Sequence, residues 1–252
     1  MTNIVLSGCN GKMGKVVTAC INKRDDCKIV AGIDLNTEML NGYPVFSNFS
    51  DIDKNFDVII DFSHPSALPN VLGFSVSNNI PIVIATTGLS DADIANVKAA
   101  SKSTPVFFTF NMSLGVNLLV QLAQKAAAVL GDEFDIEIVE KHHNQKIDAP
   151  SGTAIMLANS INEVFNNKLN YEYDRHSKSA KRPKNEIGMH SIRGGTIVGE
   201  HEVIFAGHDE VITISHSTAS KEVFAVGAVN AATYIVGCKP GMYDMKNLVE
   251  SR

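Results

Sequence analysis

The residues between Glu140 and Ala154 are dense in side chains that can do chemistry. His142 and His143 carry imidazoles that titrate near neutral pH, and Lys146 carries a full positive charge. Ser151, Gly152 and Thr153 follow Pro150 and precede an amphipathic run, Ala154 to Phe165, whose spacing predicts a helix. Amide groups and the positive dipole end at such a helix entrance favour a carboxylate or phosphate. One short segment therefore holds an anion cradle, a cationic proton donor and two groups that exchange protons near neutrality. That set suits protonation of an anionic substrate. The bland alternative is a solvated basic loop with a satisfied histidine. The segment follows an alternating apolar run, Phe134 to Val139, that predicts a strand.

A second set of residues lies near the start. Ile4 to Ser7 reads as a short buried strand and runs into Gly8, Cys9, Asn10, Gly11, Lys12, Met13 and Gly14. A helix follows, with Met13, Val16, Val17, Cys20 and Ile21 on one face. This is a Gly-x-x-Gly-x-x-Gly variant of the dinucleotide-binding turn, in which glycines let the backbone approach a pyrophosphate. Strand–glycine–helix turns are common, so the motif alone is weak. The next strand, Lys28 to Ile33, ends in Asp34, placed to accept ribose hydroxyls. An ordinary strand-end turn residue is the competing reading. No arginine follows Asp34, which favours NADH, whereas Lys12 could permit NADPH.

Three further strands, Asp57 to Phe62, Ile80 to Ala85 and Val106 to Thr109, alternate with helices; Ser90 and Asp93 form a capping-box pattern before one of them. The order argues an α/β fold with a doubly wound parallel sheet. The strand ends Phe62 to His64, Ala85, Thr86, Thr87, and Thr109, Phe110, Asn111, Met112 would line one carboxyl edge, where a dinucleotide binds. Each also reads as plain turn chemistry, and Phe110 and Met112 as core. His64 reads as a turn residue or a cofactor-edge contact.

Beyond Ser113 the pattern changes. Leu114 to Leu130 is helical by period, and alternating strands follow at Asp135 to Glu140, Gly195 to Ile197, His201 to Ala206 and Glu210 to His216. These predict a second, α+β domain with a single sheet, antiparallel or mixed, covered on one face. Residues 166–189 read as an exposed polar excursion and His201 as structural; Arg193, beside two glycines, could approach an anion closely, though a lone arginine there is more often a surface residue at a turn. A helix over Lys221 to Ile235 is expected to return to the first domain. The expected division is 1–113 with 221–252 as the dinucleotide-binding domain, and 114–220 as a second domain bearing the anion-and-proton segment.

Composition excludes several classes. The chain has 252 residues, 44% of them hydrophobic, enough for two modest domains, and a net charge of −5 that gives no footprint for nucleic acid. Cys9, Cys20, Cys27 and Cys238 show no zinc spacing and fit a reducing compartment. The N-terminus lacks the basic and apolar regions of a signal peptide, and no uninterrupted apolar run approaches a membrane span. A cytoplasmic protein without a metal centre is expected. A metal hydrolase on His142, His143 and His201 is disfavoured, because adjacent histidines in an extended segment point apart. A non-enzymatic NAD-binding sensor would have no need of Lys146 and its cradle.

The pattern Glu140-x-His142-His143-x-x-Lys146-x-Asp148-Ala149-Pro150-Ser151-Gly152-Thr153-Ala154 closely resembles the signature of the dihydrodipicolinate reductase family, also called 4-hydroxy-tetrahydrodipicolinate reductases. The likeness extends to Gly8–Gly14, Asp61–Ser63, Thr86–Gly88, Asn111–Asn117, Arg193–Gly195, Val198–His201 and Gly241–Met245. It implies NADH- or NADPH-dependent reduction of 4-hydroxy-tetrahydrodipicolinate to tetrahydrodipicolinate in the diaminopimelate route to lysine. It implies His142 as proton donor or acceptor, Lys146 as proton donor near the substrate, and His143, Gly152 and Thr153 as dicarboxylate ligands. Gly8 to Met13, Asp34, Ala85 to Thr87 and Thr109 to Met112 would bind the cofactor. The resemblance also implies a Rossmann domain joined to an open mixed sheet, and a homotetramer built through the second-domain sheets, residues 114–220 being the substrate-binding and oligomerisation domain, with domains closing on ligands. Ala85 replaces a frequent glycine, and His64 replaces a frequent arginine beside the cofactor, which weakens any NADPH preference. The runner-up is another Rossmann-fold imine or semialdehyde reductase.

Overall fold

The computed structural model describes residues 1–251. In chain order its elements are β1 (Thr2–Ser7), α1 (Lys12–Ile21), β2 (Cys27–Ile33), β3 (Val45–Phe46), β4 (Val58–Asp61), α2 (Leu68–Asn78), β5 (Ile82–Ile84), α3 (Asp91–Ala100), β6 (Pro105–Phe108), α4 (Leu114–Leu130), β7 (Asp135–His142), α5 (Gly152–Val164), β8 (Asn170–Glu172), β9 (Glu186–Arg193), β10 (Gly199–Ala206), β11 (Val211–Thr218), α6 (Glu222–Ile235), β12 (Gly241–Tyr243) and α7 (Met245–Glu250). The chain divides into two compact units, Met1–Leu114 with Glu222–Arg252, and Gly115–Lys221.

The first unit is a parallel sheet in the order β12-β6-β5-β4-β1-β2-β3. Its central strands are apolar on both faces because helices cover both. Val17, Ile21, Ala228 and Val229 pack on one face, from α1 and α6; Leu68, Val71, Leu72 and Val97 pack on the other, from α2 and α3. Local chemistry sets the boundaries as expected. Ser90 accepts from the Asp93 amide at 3.2 Å, and Asp93 accepts from the Ser90 amide at 2.9 Å, closing the capping box of α3. Pro69 sits in the first turn of α2, where its missing N–H costs nothing. The helix returning at Glu222–Ile235 belongs to this unit. Two short strands, β3 and β12, were not legible as strands. Each adds an edge to the sheet with two or three residues, too few to show an alternation.

The second unit is a mixed sheet in the order β11-β10-β7-β9-β8, antiparallel across β11, β10 and β7 and parallel across β7, β9 and β8. Helices α4 and α5 cover one face, burying Leu119, Ala123, Leu157 and Ile161 against Ile136, Ile138, Met189, Val203 and Phe205. The opposite face, with Glu137, Val139, Lys141, Glu202 and Ile204, stays half-exposed.

Two expectations are corrected. Gly195–Ile197 is a turn, not a strand, with Gly195 at φ +49°. Residues 166–189 are not a solvated excursion: they contain β8 and the buried start of β9. Arg182 binds Glu137 at 2.9 Å, Asp135 at 3.0 Å and the carbonyls of Ile136 and Glu186, strapping this segment to the sheet. Arg175 pairs with Glu186 and Lys178 with Glu172. The helical stretch Leu114–Glu133 is long and apolar enough to cross a bilayer by length and composition. Its Leu119, Ala123 and Ala127 are nonetheless core residues of the second unit.

Gly227 of α6 packs so closely that an added methyl would overlap the Met112 carbonyl oxygen. Gly227→Ala is expected to destabilise the protein by about 1–3 kcal/mol through overpacking, read as a lower midpoint in denaturant.

Candidate active site

In the first unit the glycine turn is a tight fold of backbone held from behind. Gly8 has φ +76°, and a Cβ there would fall 2.6 Å from the Phe62 carbonyl oxygen, so only glycine fits. The amides of Gly8 and Cys9 both donate to the Ile33 carbonyl, at 2.8 and 3.4 Å. Asp34, at the end of β2 as expected, accepts the Asn10 amide at 2.9 Å and the Asn36 amide at 3.1 Å. Asn10 in turn donates its side-chain amide to the carbonyls of Asn36 and Glu38, at 2.7 and 3.0 Å. Burial and the Asp34 charge push the Cys9 thiol up to about 11, so it stays protonated.

In front of this turn lies a cavity of about 510 Å³, within the range of small-molecule sites. Gly11, Lys12 and Met13 form one wall, Ala85, Thr86 and Thr87 a second, and Thr109, Phe110, Asn111 and Met112 a third. No side chain caps α1 and no acidic residue stands in its first turn. Its dipole end is thus available to an anion. Of the expected cofactor residues, Gly8, Cys9, Asn10 and Asp34 do not line the cavity; they brace the turn that does. Met112 is core as well as wall at 5% exposure, and Phe110 is 77% exposed. His64 caps a short turn through its ring, accepting from the Ser66 amide at 3.2 Å.

Sequence reasoning passed over Asp61. Its side chain is fully buried and accepts the Thr86 hydroxyl at 2.6 Å. A hydroxyl has one proton. With that proton spent on Asp61, Thr86 presents the cavity with acceptor lone pairs only.

In the second unit the apolar inner face of the sheet turns polar at one end. Across the strands, Glu140 pairs in register with Ser191 and His201, and His201 with His216; one step on, His142 pairs with Arg193. Period-two alternation puts Glu140 and His142 on the same face as Ile136 and Ile138. Glu140 is 1% exposed and is surrounded by donors. Arg193 supplies two, at 2.7 and 2.9 Å; His142 Nδ1 lies at 2.5 Å and the Ser151 amide at 3.2 Å. Burial pushes its carboxyl up, but the hydrogen bonds from Arg193, Ser191 and His142 outweigh that and bring it to about 2. An ionised carboxylate only accepts, so His142 carries its proton on Nδ1 and leaves Nε2 as the exchanging atom.

Arg193 also donates to the Asp148 carbonyl at 2.6 Å. It thereby holds the loop carrying Lys146, whose ammonium rests on the Asp148 carboxylate at 2.7 Å. Ser151 caps α5, accepting the Ala154 amide at 3.2 Å, and lies 3.0 Å from His201 Nε2. His201 is lowered to about 4, chiefly by burial and then by His142, with Lys146 also contributing. It is neutral at physiological pH. Gly152 is exposed with open space beside it, and Thr153 is half-buried in the first turn of α5. His143 lies just past the strand end, half-buried, its carbonyl accepting the Lys146 amide at 3.1 Å.

The structure thus gathers His142, the Lys146 loop and the Ser151 turn at one end of the sheet. Two further members stand there: Arg193, which the sequence leaves between an anion contact and a surface turn, and His201, which reads as structural. Glu140 was legible in principle, since a carboxylate two residues before a strand histidine must share its face.

Family models cover both halves of the chain. Residues 2–112 match the family described as dihydrodipicolinate reductase, N-terminus, and residues 115–249 match dihydrodipicolinate reductase, C-terminus. The 4-hydroxy-tetrahydrodipicolinate reductase of Caldanaerobacter subterraneus subsp. tengcongensis is 52% identical over 250 residues, covering 99% of each chain. That of Clostridium novyi is 46% identical over 252 residues, covering 100% of each. Among solved structures, the dipicolinate-bound dihydrodipicolinate reductase from Paenisporosarcina sp. TG-14 has the same fold, with a TM-score of 0.80 at 24% identity over 98% of this chain and 99% of that one. Similar along its whole length and in both halves, the chain belongs to the dihydrodipicolinate reductase family.

Proposed function

We infer that the protein is a 4-hydroxy-tetrahydrodipicolinate reductase, an oxidoreductase that reduces this substrate to tetrahydrodipicolinate with NADH or NADPH in the diaminopimelate route to lysine. One observation carries the reading: His142, the Lys146 loop and the N-terminus of α5 come together around the buried Glu140 carboxylate. A doubly negative heterocycle needs cations and amide donors to hold it, and a proton source when hydride reaches its ring. That end of the sheet supplies all three.

The cavity in front of α1 suits a dinucleotide. The Lys12 and Met13 turn would hold the pyrophosphate, Asp34 the adenosine ribose, and the Thr86 and Asn111 region the nicotinamide end. When bound, the reduced nicotinamide supplies hydride chemistry. Everything else falls to the chain. Lys146 holds the proton to be delivered and offsets one carboxylate. His143 and the Gly152–Thr153 turn take the carboxylates with donors at a helix N-terminus. His142, its tautomer set by Glu140, exchanges a proton at Nε2. The free thiols of Cys9, Cys20, Cys27 and Cys238 suit a cytoplasmic setting. The half-exposed outer face of the second sheet, without a helix of its own unit across it, is the surface on which we place the contacts of a homotetramer.

Lys146→Ala is expected to lower kcat by about 10²–10⁴-fold, the usual worth of general acid catalysis, while calorimetry finds NADH affinity unchanged. Wild-type turnover in that variant would overturn the assignment. Steady-state comparison of the coenzymes should find both used, because Asp34 disfavours a 2′-phosphate and Lys12 offsets it. An NADPH preference of about a hundredfold, roughly 2.7 kcal/mol, would contradict this. Sedimentation equilibrium should return four times the chain mass, and a monomer would remove the tetramer.

A further inference from the structure

Glu140 of β7 and Arg193 of β9 are diagonal neighbours on one face of the sheet, and His142, the Lys146 loop and the start of α5 are each tied to one of them. Glu140 holds His142 through Nδ1 and the start of α5 through the Ser151 amide. Arg193 holds Glu140 through both carboxylate oxygens and holds the Lys146 loop through the Asp148 carbonyl. Three separate pieces of chain therefore meet at one contact: a strand end, a loop and a helix N-terminus.

Stability alone does not explain such a pair. Removing two charges from water costs about what their attraction returns, and apolar replacements of similar volume often do as well. One register step further into the unit, the same face is filled by Ile138, Met189 and Val203 without any charge. What a bidentate guanidinium–carboxylate contact adds is fixed geometry. The unit holds a second arginine cluster, around Arg182, Glu137 and Asp135. That cluster straps residues 173–185 to the sheet, and among the described residues its arginine bonds Glu137, Asp135 and the carbonyls of Ile136 and Glu186, not His142, Lys146 or α5.

Resting on the reductase reading above, we propose that the Glu140–Arg193 pair is the positioning device of the substrate site: one contact sets His142, the Lys146 loop and the Ser151–Thr153 turn in register with one another, so that binding of the dicarboxylate and delivery of its proton depend on it together. Neither residue is assigned a contact with substrate. Each acts through the group it holds.

The test uses the full chain and the variants Arg193→Met, Arg193→Lys and Glu140→Gln, with Arg182→Gln as the structural control. Turnover, inhibition by pyridine-2,6-dicarboxylate, NADH binding and thermal midpoint are measured for each. Arg193→Met and Glu140→Gln should raise the inhibition constant and KM and lower kcat, with kcat/KM falling about a hundredfold, as misplacement by an ångström does. NADH affinity should stay within about twofold, since it belongs to the other unit. Arg193→Lys, which keeps the charge and one donor direction, should recover part of the loss and remains informative where Arg193→Met does not fold. Arg182→Gln should lower the midpoint without moving the inhibition constant. The proposal is overturned where Arg193→Lys and Glu140→Gln keep wild-type KM, kcat and inhibition, or where they lose only in proportion to the midpoint as Arg182→Gln does. Failure of the wild-type protein to reduce the substrate or bind the pyridine dicarboxylate is a different result: it removes the reductase reading itself.

Discussion

The alternation of side chains along β7 is the constraint on which the second unit depends. Ile136 and Ile138 point into the core beneath α4 and α5; Glu140 and His142, two and four residues further on, must point the same way. A slip of one residue would turn the isoleucines to the half-exposed face and carry the carboxylate and imidazole with them. Core packing and site chemistry are thus enforced by the same register. The four-strand row of Ser191, Glu140, His201 and His216 is the boundary where that face changes from apolar to polar.

The two units are equipped for anions by different means. In the first, the work falls to main chain. Gly8 turns where no other residue can, α1 presents an uncapped dipole end, and Asp34 and Asn10 hold the turn from behind. Among the side chains lining the cavity, Thr86 has its polarity set from behind by Asp61. In the second unit, charged and titrating side chains carry the site, and a buried ion pair keeps them in place. Backbone donors suit a cofactor whose phosphates are always charged. Side chains that can gain and lose protons suit a group that must be protonated during reaction.

Much of this was legible because it is local. The glycine turn, the capping box of Ser90 and Asp93, the strand-end Asp34 and the segment from Glu140 to Thr153 each carry their signal within a few residues. The resemblance to a known family rested on that last segment. What was hidden is non-local. Arg193 stays between an anion contact and a surface turn because its partner Glu140 stands 53 residues away. β9 begins amid polar residues, and its Gly188 weakens the alternation; the reason for that glycine is the Glu137 side chain lying against it from the neighbouring strand. Gly195 to Ile197 has strand-like residue types, yet the positive φ at Gly195 turns the chain instead. The residues expected at a cofactor lie around one turn and its cavity, but their division into cavity wall and bracing shows only in the hydrogen bonds of Asp34, Asn10 and Ile33.

The division of the chain into a split unit and an inserted one has a consequence for synthesis. The first unit opens the chain but is finished only by residues from Glu222 onward, whose Ala225, Ala228, Val229 and Ile235 complete one of its two cores. The second is continuous from Gly115 to Lys221 and emerges from the ribosome whole. The part that begins first is therefore the last to close, and until then the face that α6 will cover is exposed to chaperones and to other nascent chains.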